Sequence, residues 1–253
     1  MIAERLALRP RKLTAIADFA LHFSRVNAAA LAIPVLLCAL PAAAVAHWLS
    51  GDFPFGAWCL LAASARLASS PLTLACADLA VQPTTSLQTN LVRTVGRLPT
   101  LLALLAIDAT LRCLTLGLSA ALVQFSNEVI LLERGSVGAA IARSRKLLAA
   151  APGRTMAMLG LAIGLPVWGA FGGELGYAAL LDVWAVPHKE TGLVDHGVTL
   201  AALLGAGLAE AGWTIVRFLA YLDCRTRNEG WDLQLQCQAW VERQQAGTAV
   251  RAG

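Results

Sequence analysis

Charge is what this chain has least of: Lys, Arg, Asp and Glu together make up 14% of its 253 residues, against about 25% in soluble domains. Hydrophobic residues make up 57%, and the mean hydropathy is +0.63. A water-soluble globular domain is excluded on that ground. Apolar stretches of about 20 residues recur along the whole length, which also excludes a soluble head on a single anchor. Almost nothing is left for an extramembrane catalytic domain. Motifs of common chemistries are missing as well: there is no G-x-x-x-x-G-K-[ST], no G-x-S-x-G, no H-E-x-x-H and no dinucleotide-binding glycine pattern behind a strand. The six cysteines form no C-x-x-C and no Cys/His cluster. Cys38, Cys59, Cys76 and Cys113 lie inside apolar stretches, and only Cys224 and Cys237 in polar ones, as expected of unpaired structural thiols. No metal or cofactor site is expected. His188 and His196, near Asp195, lack ligand spacing, and His47 beside Trp48 reads as an interfacial residue.

Lysine is scarce in particular, with 3 Lys against 17 Arg while Asp and Glu number 8 each, a bias that fits a GC-rich bacterial genome. The net charge of +4 does not argue for nucleic-acid binding, because the basic residues cluster beside apolar runs, where the positive-inside rule already accounts for them. Membrane lipids and other membrane proteins are the expected partners, with no nucleic acid.

Five apolar runs stand out, at 28–48, 55–80, 98–132, 155–181 and 196–222. The first ends in Ala44-Val45-Ala46, which imitates a signal-peptidase site, yet the patterned segment ahead of it carries Asp18 and is too long for a signal n-region, so it reads as an uncleaved span. The third run would make a helix of about 52 Å, against a hydrocarbon core of about 30 Å. Basic residues mark the N-terminus (Arg5, Arg9, Arg11, Lys12, Arg25), the connection with Arg93 and Arg97, the connection from Arg134 to Arg154, and the C-terminal tail with Arg225, Arg227 and Arg243. The connections around Asp52 and from 182 to 195 contain no Arg. If every basic connection is cytoplasmic, 98–132 enters and leaves on one side, turning near Gly117, which gives six crossings with both termini inside. The rival is one long tilted helix, five crossings and opposite termini.

Three segments that precede these hairpins look alike: 12–25, 85–97 and 135–148. Each starts near a capping Ser or Thr and carries an aliphatic stripe at helical spacing (Ile16, Ala20 and Phe23; Leu91 and Val95; Val137, Ile141 and Leu148), with basic residues toward its end. The expectation is a short interfacial helix with its apolar face in the lipid boundary, repeated three times. The fold class is therefore all-α, a polytopic membrane bundle forming a single domain: an interfacial segment at 1–25, the spans at 26–222, and a cytoplasmic amphipathic helix and tail at 223–253.

An ionisable group inside a span costs roughly 2.5–3.5 kcal/mol on insertion scales, so each needs a partner or a task. Asp108 and Arg112 stand at i and i+4 and are expected to neutralise each other and grip a neighbouring helix. Glu174 sits among Gly169, Gly172, Gly173 and Gly176, a spacing that lets two backbones approach. The last two spans are therefore expected to pack together and bring Glu174 near Glu210 or Arg217. Arg66 and Glu128 lack an intrahelical partner and call for one on another helix. Beyond the last span, Asp223 with Arg227 and Arg225 with Glu229 are i, i+4 pairs, followed by Gly230, Trp231 and a helix from Asp232 to Gln244. Asp223, Arg225, Arg227, Glu229 and Trp231 form a candidate docking face for a partner.

The N-terminal Leu6-Ala-Leu-Arg9-Pro10-Arg11 with Asp18 and Arg25, the segment from Glu133 through Arg143-Ser144-Arg145 to Leu148, and the closing stretch from Tyr221 through Asp223, Arg225, Arg227 and Glu229 to Asp232 resemble a broad group of bacterial polytopic membrane proteins. Some relatives are similar to the membrane domain attached to certain glycerophosphodiester phosphodiesterases. Others are encoded beside transglutaminase-like membrane proteins and MoxR-type ATPases. The resemblance covers most of the chain and implies a membrane-embedded accessory subunit. These 253 residues contain no phosphodiesterase domain, so that activity does not come with it. The expected function is a non-catalytic scaffold or accessory subunit of a complex in the bacterial inner membrane. The alternative is a transporter or channel-like protein using Glu174, Glu210 and Arg217. A lipid-modifying enzyme ranks below both, for want of a nucleophile or metal site.

Overall fold

The computed structural model describes residues 12–50, 54–114, 123–149, 152–184 and 199–229, with the side chains at 49, 50, 54, 55, 60, 112–114, 228 and 229 left out. Every regular element among them is helical: α1 (Leu13–Val26), α2 (Ala28–Ser50), α3 (Pro54–Val81), α4 (Leu87–Gly96), α5 (Leu98–Leu114), α6 (Ser126–Glu128) widening into a π-helical turn (Val129–Glu133), α7 (Val137–Ala149), α8 (Pro152–Val183) and α9 (Leu200–Glu229). The segments at 1–11, 115–122, 185–198 and 230–253 lie outside this description, and with them Gly117, His188, His196, Trp231 and the expected helix from Asp232.

Apolar continuity sets the long helices. Four are long and apolar enough to cross a membrane, at Ala28–Trp48, Gly56–Val81, Pro152–Val183 and Leu200–Arg227; α4 and α5, bent by 65° at Arg97, make a fifth if they count as one broken span. Prolines sit inside them at 34, 41, 71 and 166. Membrane helices tolerate this because neighbouring hydroxyls re-satisfy freed backbone groups. The carbonyl that Pro71 leaves without its amide is that of Leu67, and the hydroxyls nearby serve the carbonyls on either side of it, Ser69 donating to Arg66 at 2.9 Å and Thr73 to Ser69 at 3.1 Å.

Sharp elbows join short helices to long ones. Asn27 (φ −105°, ψ 20°) ends α1, and its side-chain amide donates to the Phe23 carbonyl at 2.9 Å. Arg97 (φ −106°, ψ 0°) ends α4, its amide donating to the Thr94 carbonyl at 3.0 Å. Both sit in the bridge region, which stops a helix without a proline. Ser86 caps α4 by accepting from the Thr89 amide, and Ser136 accepts from the Ala139 amide at the start of α7, each at 3.4 Å. The expected cap on the first of the three segments is missing: Lys12 occupies that position and makes no side-chain cap.

The lipid-facing role expected for the first stripe also fails. Ile16, Ala20 and Phe23 are buried in the main core and α1 packs against α9. Leu91 and Val95 of α4 are exposed, as expected, and the residue α4 buries is polar, Asn90.

The hub is α9, which packs on α8, α2, α3, α1 and α7. Every residue from 213 to 224 is buried. Gly169 and Gly173 of α8 press against Ala201, Gly205 and Ala209 of α9, so that a methyl group at 169, 173 or 205 would fall inside van der Waals contact with backbone atoms of the facing helix. The pair runs antiparallel, with residue 169 opposite 205 and 173 opposite 201. Gly172 and Gly176 face open space and take no part. Ala39 of α2 closes on Gly207 in the same small-residue manner, 3.2 Å from where a methyl would sit.

Candidate functional site

Several ionisable residues among those described are tied across the bundle, from one helix to another. Arg217, at the centre of α9, donates from Nε to Glu128 Oε1 at 2.6 Å, with the two side chains 2% and 0% exposed. Arg66 of α3 reaches Asp108 of α5, Nη1 to Oδ2 at 2.7 Å. Asp108 is thereby engaged by another helix; the Arg112 side chain, and with it the expected i, i+4 pair, lies outside the described residues. Removing one partner from a buried pair of this kind costs roughly 3–5 kcal/mol, since the other charge is left in a low dielectric.

Toward the arginine-rich end the pairs become networks. Tyr221 donates its hydroxyl to Glu133 at 2.5 Å, and Arg143 and Arg225 approach the same carboxylate at 3.4 and 3.8 Å. The Tyr221 ring stacks edge-to-face on Phe125, centroids 5.8 Å apart. Asp223 receives Arg154 at 2.6 Å and Arg227 at 2.9 Å. The Asp223–Arg227 pair is therefore present as expected, but Asp223 is turned inward to α8. Arg225 faces Glu133, while the Glu229 side chain and Trp231 lie outside the described residues. Of the candidate docking face, Arg227 is the described residue that stays exposed.

Glu174 accepts from Thr199, whose hydroxyl also accepts from the Ala202 amide and caps α9. With residue 174 opposite about 200, Glu174 and Glu210 are about ten residues apart along the hairpin, or about 15 Å. The expected approach of Glu174 to Glu210 or Arg217 does not occur. Packing of the two helices was legible from the glycines; the register that separates the carboxylates was not.

Glu210 and Arg217 instead share a cavity of about 290 Å³ with Arg66 and Gln124. Its walls are α3, α8 and α9, and its remaining lining is apolar, including Trp58 and Trp213. Gln124, 3% exposed, has neither amide atom hydrogen-bonded among the described residues. Sequence reasoning passed over Gln124, although the run Gln124-Phe-Ser-Asn-Glu128 at the end of an apolar stretch is a usable signal. A second, wider pocket of about 590 Å³ lies at the arginine-rich end between Arg93, Arg97 and Arg134. Arg134 holds a left-handed backbone (φ 57°) where the π-helical turn ends. Because Gly96, Arg97, Leu132 and Arg134 line this one pocket, the chain leaves the 98–133 segment at the end of the bundle where it entered.

With every regular element among the described residues helical, four to five helices of spanning length and ion pairs across the bundle, the chain fits the class of polytopic membrane proteins. Comparison with models of known families, with curated proteins and with solved structures finds no match.

Proposed function

We propose that this chain is a non-catalytic scaffold or accessory subunit of a protein complex in the bacterial cytoplasmic membrane, with both termini on the cytoplasmic side. The observation that carries this reading is the use made of its membrane-embedded charges. Arg217 with Glu128, Arg66 with Asp108 and Arg154 with Asp223 each join distant segments of the chain, so charge is spent on holding a fixed shape. The resemblance of the N-terminal, 133–148 and 221–232 segments to bacterial polytopic membrane proteins points the same way. In this reading the three short helices, two of them ending in matching elbows at Asn27 and Arg97, are diverged copies of one unit, and 98–133 forms the middle hairpin of six crossings. The transporter alternative relied on adjoining carboxylates, and the separation of Glu174 from Glu210 weakens its premise.

The test is affinity purification from the native membrane in mild detergent, followed by native mass spectrometry. A stoichiometric second membrane protein, lost when Arg227 and Glu229 are replaced by Ala while the chain still folds, is expected. A lone chain that carries solute flux after reconstitution would overturn the subunit reading in favour of transport.

A further inference from the structure

The cavity beside Arg217 is open on one flank. α3 and α8 both pack on α9 and scarcely meet each other, and the exposed residues Ala62 and Ile163, one from each helix, stand among its lining. Its mouth therefore faces the surroundings of the long helices, which in a bilayer is lipid, rather than either end of the bundle. Its floor is polar. Gln124 presents an unpartnered Nε2 donor and an unpartnered Oε1 acceptor, and the Nη2 of Arg217 is a second buried donor without a partner among the described residues.

Burying such groups unsatisfied costs about 1–3 kcal/mol each, and a native protein retains them where something fills the site. Charge narrows what that is. Each guanidinium lining the cavity already faces a carboxylate of its own, Arg217 with Glu128 and Arg66 with Asp108. Glu210 also lines the wall. Arg217 also interacts electrostatically with Glu210, so an anion would have to compete with these carboxylates for their guanidiniums, and a cation with the guanidiniums for their carboxylates. A neutral group escapes both penalties. The free atoms ask for an acceptor facing Gln124 Nε2 and Arg217 Nη2, and a donor facing Gln124 Oε1. A carbonyl and a hydroxyl on one molecule supply these. The volume of about 290 Å³ equals about ten waters at roughly 30 Å³ each, room for a polar head and a few methylenes but not for a whole acyl chain. The tail must stay in the bilayer.

We propose that this crevice binds a neutral hydroxy-carbonyl amphiphile. It enters sideways between α3 and α8, its carbonyl oxygen accepting from Arg217 and Gln124, its hydroxyl donating to Gln124, and its hydrocarbon tail leaving past Ala62 and Ile163. The tryptophans at 58 and 213 flank the head with apolar surface, leaving the amide and the guanidinium as the polar contacts that orient it.

The probe is a diazirine-tagged monoacylglycerol, photolysed with the full chain in phosphatidylcholine nanodiscs and mapped by peptide mass spectrometry. Labelling is expected on peptides of α3 and α8 that carry Ala62 and Ile163. Excess 1-dodecanoylglycerol should suppress it more than tenfold, and equal concentrations of dodecyl phosphate or dodecyltrimethylammonium should not. Gln124→Leu removes both unpartnered amide atoms and should cut labelling at least fivefold without lowering the melting temperature. Ala62→Trp, a change at an exposed position, should close the mouth with the same effect. Labelling spread over all lipid-facing helices, or unchanged in both variants, would overturn the site and leave a water-filled cavity. Suppression by dodecyl phosphate as strong as by the neutral competitor would overturn the neutral assignment. None of these outcomes depends on a partner protein, so the crevice and the subunit reading fail separately.

Discussion

Arg217 and Glu128 form an ion pair at 2.6 Å in which neither side chain is more than 2% exposed. It fastens the middle of α9 to the single turn of α6 that ends the 98–133 segment. The same stretch meets α9 again through Tyr221, whose hydroxyl donates to Glu133 and whose ring packs on Phe125, whereas α5 is not among the helices packed on α9. Of these ties between residues 125–133 and the hub, the Arg217–Glu128 pair is more deeply buried than the contacts at Glu133.

Neutralising one partner alone should be severe. Glu128→Gln is expected to destabilise the protein by roughly 3–5 kcal/mol, because Arg217 keeps its charge in an apolar site. Replacing both together, Glu128→Leu with Arg217→Met, should recover most of that loss, since an apolar pair of similar volume often matches a buried ion pair. Denaturation of the wild type, Glu128→Leu, Arg217→Met and the double variant in mixed micelles gives the double-mutant cycle. Additive losses would show that the two residues act independently, contrary to the geometry.

The glycines of α8 offer a controlled contrast within one helix. Gly169 and Gly173 meet the backbone of α9, whereas Gly172 and Gly176 have open space where a side chain would go. Gly173→Leu is expected to force the helices apart and cost at least the 1–3 kcal/mol typical of overpacking. Gly172→Leu should lie within about 0.5 kcal/mol of wild type, as surface substitutions do. Thermal unfolding monitored by circular dichroism in the same detergent separates the two, and equal losses at both positions would contradict the antiparallel contact.

What the sequence disclosed and what it hid divide along a physical line. A long apolar run needs no tertiary knowledge to be read as a spanning helix, and paired glycines announce a close contact wherever it falls. A stripe such as Ile16, Ala20 and Phe23 is different: lipid and protein interior are equally apolar, so its spacing cannot tell which of the two it faces, and here it faces α9. Ion pairs follow the same logic. The i, i+4 rule finds Asp223 with Arg227, but for Asp108 it cannot offer Arg66, which comes close only once α3 and α5 are assembled. Glu128 and Arg66 were legible as residues in need of partners, and their partners were not. Gln124 was overlooked because an uncharged amide raises no alarm in a charge-based reading, although neither of its amide atoms finds a hydrogen bond among the described residues.

Both ends of the 98–133 segment lie at one end of the bundle, which makes a prediction about sidedness that the positive-inside rule alone does not secure. Ser86 and Ser136 are the exposed N-caps of α4 and α7, and the pocket lined by Arg97 and Arg134 lies between the two helices' connections to that segment. Asp182 and Trp184 are exposed at the other end of α8. In a chain whose six cysteines have been replaced, cysteine at 86 and at 136 should react with a membrane-impermeant maleimide from the same side, and cysteine at 182 from the opposite one. The rate at each position should differ at least tenfold between intact cells and inside-out vesicles, since the reagent does not cross. Reaction of 86 and 136 from opposite faces would require the 98–133 segment to span the bilayer once as a single tilted helix. That would separate Arg97 from Arg134 by about the 30 Å of the hydrocarbon core, which two residues lining one pocket cannot be.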